Sequence, residues 1–82
     1  MMKANEAREL TVKALTEQVE AHLPKIEEKI IREAKQGDYC IYYYNNITDL
    51  DPRAKSILIQ QLKDAGYTTR WNTASLVISW TE

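Results

Sequence analysis

The chain's options are narrowed most by one long run of helix-forming residues, from Ala4 to about Lys35, that carries a single apolar stripe. Val12, Leu15, Val19, Leu23, Ile26, Ile30 and Ala34 recur at spacings of three and four, the period of an amphipathic helix. The steps run 3, 4, 4, 3, 4, 4, nearer an eleven-residue repeat than a heptad, so the stripe stays almost straight along the axis. Glu9 with Lys13, Lys13 with Glu17, and Glu28 with Arg32 fall at i,i+4 on the opposite, solvated face. Pro24 interrupts the run, removing one backbone donor at a cost of about 3 kcal/mol in a helix interior. No Ser, Thr, Asp or Asn directly precedes Pro24 to cap a fresh helix, so the sequence predicts one kinked helix rather than two. Gly37 stops it, with Lys35 placed where a cation suits the helix dipole.

The length of this helix matters because the whole chain has only 82 residues. About 32 helical residues span roughly 45–50 Å, whereas a compact domain of this size has a diameter near about 30 Å. The helix is therefore expected to overhang its own domain. Val12, Leu15 and Val19 are the stripe residues expected to lack an internal partner, which makes the N-terminal half of the helix a predicted contact with another subunit or another protein.

The remaining residues read as a β-α-β-β unit over 38–82. Residues 39–44, Tyr-Cys-Ile-Tyr-Tyr-Tyr, are aromatic and β-branched and are bounded by Gly37-Asp38 and Asn45-Asn46, a strand signature. Asp51-Pro52 supplies the cap and first residue of a second helix, with Thr48 as an alternative cap. Its apolar face is Ala54, Leu58, Leu62 and Ala65, flanked by Ile57 and Ile59, and Gly66 ends it. Residues 67–71 and 76–80 form two further strands joined by Asn72-Thr73-Ala74-Ser75. A right-handed crossover makes the first and second strands parallel and inserts the third between them, antiparallel to both. The expected fold is thus α+β: a long kinked N-terminal helix, then a three-stranded mixed sheet in order 1-3-2 packed on helices. No linker or repeat divides the chain, so one domain over 1–82 is expected, with the helix over about 4–36 as its candidate assembly appendage.

Catalytic chemistry finds little to stand on. His22 is the only histidine, with no second histidine or nearby cysteine, and reads as a surface or helix-flank residue. Cys40, the only cysteine, excludes an intrachain disulfide and a cysteine-based zinc cluster, and its place beside Ile41 reads as a buried structural thiol. Asn45, Asn46, Asp49 and Asp51 gather oxygen ligands, but the mid-loop glycine and closing glutamate of a calcium loop are missing, and turn formation plus helix capping explains all four. Gly37 and Gly66 are the only glycines and each follows a helix, so there is no glycine-rich phosphate loop. The expectation is a protein without catalytic residues, cofactor or metal.

Five Tyr and two Trp, with no Phe, are a biased choice of large side chains, since all can hydrogen-bond. The first strand splits into Tyr39, Ile41, Tyr43 and Cys40, Tyr42, Tyr44, and either assignment leaves two tyrosines outward. Leu76, Ile78 and Trp80 share the presumed core face of the last strand. Outward Tyr42 and Tyr44 form a candidate contact surface of the kind in which tyrosine is enriched. Eleven basic residues are interleaved with twelve acidic ones for a net charge of −1, and Arg70 is the only basic residue in any strand, which argues against a nucleic-acid partner. No apolar run approaches the roughly 20 residues needed to span a bilayer. A charged N-terminal segment in place of a signal sequence points to a cytoplasm.

The opening Ala4-Asn5-Glu6-Ala7-Arg8-Glu9-Leu10-Thr11, the junction Gln36-Gly37-Asp38-Tyr39, Leu62-Lys63-Asp64-Ala65-Gly66-Tyr67 and the closing Val77-Ile78-Ser79-Trp80 together resemble short uncharacterised proteins of tailed bacteriophages. That resemblance covers nearly the whole chain and implies a phage origin, with a hypothetical or virion-associated status, and it transfers no catalytic residue. The resulting expectation is a non-enzymatic structural or accessory protein, in the bacterial cytoplasm or the virion, acting through contacts with copies of itself, virion proteins or host proteins. A small inhibitor or adaptor that grips a host protein through the aromatic sheet face is the alternative, and a sheet-based nucleic-acid binder the third.

Overall fold

A computed structural model describes residues 1–81. Helix α1 spans Ala4–Lys35, strand β1 Cys40–Tyr43, a 3-10 turn Ile47–Asp49, helix α2 Pro52–Asp64, strand β2 Thr68–Trp71 and strand β3 Leu76–Ser79. The expected α+β order is present element for element.

Helix α1 runs through Pro24 without a break. Both helices end in the same way, because each is followed by a glycine that can adopt a positive φ. Gly37 (φ 92°) and Gly66 (φ 97°) turn the chain so that paired amides close back on the last turn. The Gly37 and Asp38 amides donate to Ala34 and Glu33, each at 3.0 Å, and those of Gly66 and Tyr67 donate to Lys63 and Leu62, also at 3.0 Å. At the front of α2, the Asp51 carboxylate accepts from the Arg53 amide at 2.8 Å, the predicted cap, while Thr48 lies inside the 3-10 turn. Asn45 and Asn46 carry φ of 33° and 57° in the turn after β1, which closes when the Ile47 amide donates to Tyr44 at 2.7 Å. Asparagine tolerates this left-handed region, so the Asn-Asn pair is spent on the turn.

The sheet has the order β1-β3-β2. Strands β1 and β2 run the same way, as the crossover rule requires, but they never touch. The sheet expected as mixed therefore contains antiparallel ladders only, with Ile41 opposite Ile78 and Thr69 opposite Ile78 across the two seams. Helices α1 and α2 pack on each other and on the sheet, enclosing a core that includes Val19, Ile26, Ile41, Tyr43, Ile47, Ala54, Leu58, Leu76 and Ile78, each no more than 2% exposed.

Four expectations about burial are corrected. Leu15 (7% exposed) and Val19 (0%) belong to this core, because the β-α-β-β layer reaches further along α1 than the diameter argument allowed. From Leu15 onward α1 is thus part of the domain and not an appendage. Cys40 is exposed, since β1 turns Ile41 and Tyr43 inward and alternation puts its neighbours out. Trp80 is half-buried: β3 ends at Ser79, and the indole lies past the strand, edge-on to Tyr67 with ring centroids 6.2 Å apart. Ala65, expected on the apolar face of α2, caps the helix end and is exposed.

Candidate functional site

Residues 1–14 are exposed at every position. The molecule measures 55 × 24 × 19 Å, and its radius of gyration of 14.6 Å exceeds the roughly 12 Å of a compact chain this long. The excess is the first three turns of α1, which project beyond the sheet and carry Leu10 (54% exposed) and Val12 (56%) into solvent. Of the three helix residues expected at a contact surface, only Val12 is available to one; Leu10 is exposed as well, on another side of the helix.

On the far side of the sheet from the helices, the register places Tyr42, Val77 and Arg70 in one row and Cys40, Ser79 and Thr68 in the next. Val77 is only 8% exposed although it faces outward, because it sits on the central strand between the two long side chains. Thr68 and Ser79 join their hydroxyls across the seam. Tyr42 (42% exposed) and Tyr44 (53%), the sheet residues expected to meet a partner, are outward, and so is Tyr39 (62%), which precedes the strand and escapes its alternation.

Two arrangements here were not foreseen from the sequence. His22 has a partner after all: its Nδ1 lies 2.7 Å from the hydroxyl of Tyr43, whose ring meets the imidazole edge-on at 5.6 Å between centroids. Burial, and then the charge of Lys25, hold His22 below its ordinary pKa of 6.5. Nδ1 and the phenol share one hydrogen bond, in which the ring nitrogen accepts or donates according to the imidazole tautomer. This commits the one histidine to holding β1 on α1. The alternation of β1 was available in the sequence; its inward face and the approach of a residue 21 positions away were not.

The second arrangement is a polar groove of about 350 Å³ between α1 and the end of β1, lined by Lys25, Glu28, Lys29, Arg32, Tyr43, Tyr44 and Asn45. Lys29 is fixed in it: Nζ donates to the Tyr42 carbonyl at 2.7 Å and stands 5.8 Å from the centre of the Tyr44 ring. The expected Glu28–Arg32 pair is not closed, and Arg32 Nε is instead 3.9 Å from Glu33. Exposed i,i+4 pairs gain too little to fix two long side chains. Asp51, by contrast, is held below the usual carboxylate range by the side chain of Arg53, at 3.1 Å, and its oxygens serve the α2 cap. Asn45, Asn46, Asp49 and Asp51 thus all have local backbone roles.

No helix among the described residues is long and apolar enough to cross a membrane. A family model described as Phage T4 Y10B protein matches residues 1–77. No curated protein matches the chain, and no solved structure does.

Proposed function

The chain belongs to the Phage T4 Y10B protein family, and from that premise we propose that it is a non-enzymatic structural or accessory phage protein that works through protein contacts. It acts in the cytoplasm of the infected cell or within the virion, as a homo-oligomer or as part of a larger assembly. The observation that carries this reading is the projecting start of α1, where Leu10 and Val12 stand more than half exposed on a helix that has no need of those turns to complete its own core. Each aliphatic side chain of this kind gains about 1.5–3 kcal/mol when fully buried by a partner.

Size-exclusion chromatography with light scattering tests it. The native protein is expected above the 9.5 kDa of one chain, and a Leu10→Glu, Val12→Glu variant is expected at monomer mass with an unchanged circular dichroism spectrum. A native protein that stays monomeric throughout the concentration range, with the first turns of α1 ordered, defeats the self-association form of the reading.

The exposed Tyr39, Tyr42 and Tyr44 favour a second reading, a host-directed inhibitor or adaptor that binds through the sheet. Mass spectrometry separates the two. A structural component is present in purified particles, whereas an inhibitor co-purifies with one bacterial protein from infected cells.

A further inference from the structure

Lys25, Lys29 and Arg32 are spaced i, i+4 and i+7, so one face of α1 presents all three cations to the groove beside Tyr44. One carboxylate, Glu28, lines the groove with them, and Glu33 approaches Arg32 only to 3.9 Å. Neither lysine forms a salt bridge among the described residues. A chain of net charge −1 has thus gathered positive charge in one concave place. The field is felt inside, where the charge of Lys25 adds to the burial that lowers the pKa of His22. Tyr44 closes one side of the groove with a ring backed on one face by the Lys29 ammonium and 53% exposed overall. An aromatic face beside a cluster of cations is what a nucleotide chain uses, the cations taking the phosphate and the ring taking a base.

We propose that this groove binds a phosphate group of single-stranded nucleic acid, with Lys25 and Arg32 on the phosphate oxygens and a base stacked on the open face of Tyr44. Lys29 acts as a positioning residue, because its bond to the Tyr42 carbonyl fixes it behind the ring. Asn45, next along the groove wall, offers a neutral amide donor to the same phosphate. The site is local and uses a helix and a strand end. It differs in both respects from a basic sheet surface, which the strands do not supply.

The test is a titration of the full chain, followed by backbone amide NMR, with a short oligothymidylate in one arm and inorganic phosphate in the other. Saturable shifts confined to α1 from Lys25 to Arg32 and to Tyr44 and Asn45 are expected with the oligonucleotide. A Lys25→Gln, Arg32→Gln variant, checked for unchanged circular dichroism, should lower the salt dependence by about 0.7 in log–log slope, the loss of one neutralised phosphate of a single strand. Tyr44→Leu should weaken the oligonucleotide while leaving any phosphate binding unchanged. Saturation by phosphate without the oligonucleotide overturns the nucleic-acid assignment. No saturable shift in either arm, or equal binding by the folded double variant, overturns the site.

Discussion

At His22 the fold and the proton are coupled. Tyr43 is 1% exposed and its hydroxyl has the imidazole as partner, and protonating that ring would place a charge in a part-buried contact near the Lys25 ammonium. The folded pKa lies below the ordinary 6.5, so the unfolded chain binds the proton first as pH falls. Stability from this group is therefore fully present above pH 6.5 and is lost as pH drops through the folded value. Melting temperature measured between pH 8 and pH 5 should fall on the acid side, and His22→Gln should flatten that part of the curve while leaving activity in any binding assay intact. A native curve with no acid-side loss contradicts the coupling. Cys40 makes the opposite case. Because the thiol is exposed on the outer row of the sheet, it should react fully with a thiol reagent in the folded protein, and Cys40→Ser should be silent in stability within about 0.5 kcal/mol. Protection of the thiol until denaturant is added would place it in a contact.

At the scale of elements, Pro24 is the residue least suited to its place, although α1 runs through it as the single helix expected. The ring is exposed, α1 is continuous through it, and the carbonyl of Glu20 has lost its amide donor. Pro24→Ala restores that donor and should raise stability by about 1–3 kcal/mol in a denaturant titration. A fall instead would mean that the proline itself is needed to seat Leu15 and Ile30 against the core. Trp80→Ala should cost about 1–2 kcal/mol rather than the larger loss of a fully buried ring, since the indole is half-buried and leans edge-on against Tyr67. These cases also mark what could be read in the sequence. The stripe of α1, the Asp51-Pro52 start, the glycine stops and the 1-3-2 order are all local chemistry or chain geometry, and a single sequence carries both. Which face of β1 is inward is not local: period-two alternation offers two equivalent faces, and only the packing of Ile41 and Tyr43 under the helices decides. The candidate site was less legible. The Lys25, Lys29, Arg32 face was in plain sight at helical spacing, but it gains meaning only when Tyr44 arrives beside it from the end of β1.

For the whole molecule the decisive quantity is how much of α1 its own domain supports. The likeness to short phage proteins read from the sequence agrees with the family match over residues 1–77, and neither says what the projecting turns meet. Physics does bound it. Every residue from Ala4 to Ala14 is exposed, so core packing adds little there, and an isolated helix shorter than about 12–15 residues is marginal in water even with favourable residues. Its order in a lone monomer rests on propagation from the packed turns after Leu15, with only local aid such as the Thr11 hydroxyl on the Ala7 carbonyl at 3.0 Å. The projecting stretch is about 16 Å long at 1.5 Å per residue, too short to bury by itself the roughly 1,000 Å² that a stable interface needs. Self-association through Leu10 and Val12 is accordingly expected to be weak, with tight binding reserved for a partner that covers more than these turns. Hydrogen exchange at two protein concentrations reads this directly. In dilute protein the amides of residues 8–14 should exchange nearly as fast as an unfolded chain, while those of α1 around Val19 and Ile26 stay protected. In concentrated protein the first group should slow, and Leu10→Glu, Val12→Glu should abolish the slowing without touching the second. Equal and strong protection of residues 8–14 at both concentrations, in a protein that scatters as a monomer, would show that the helix stands by itself and that its first turns are not an association element.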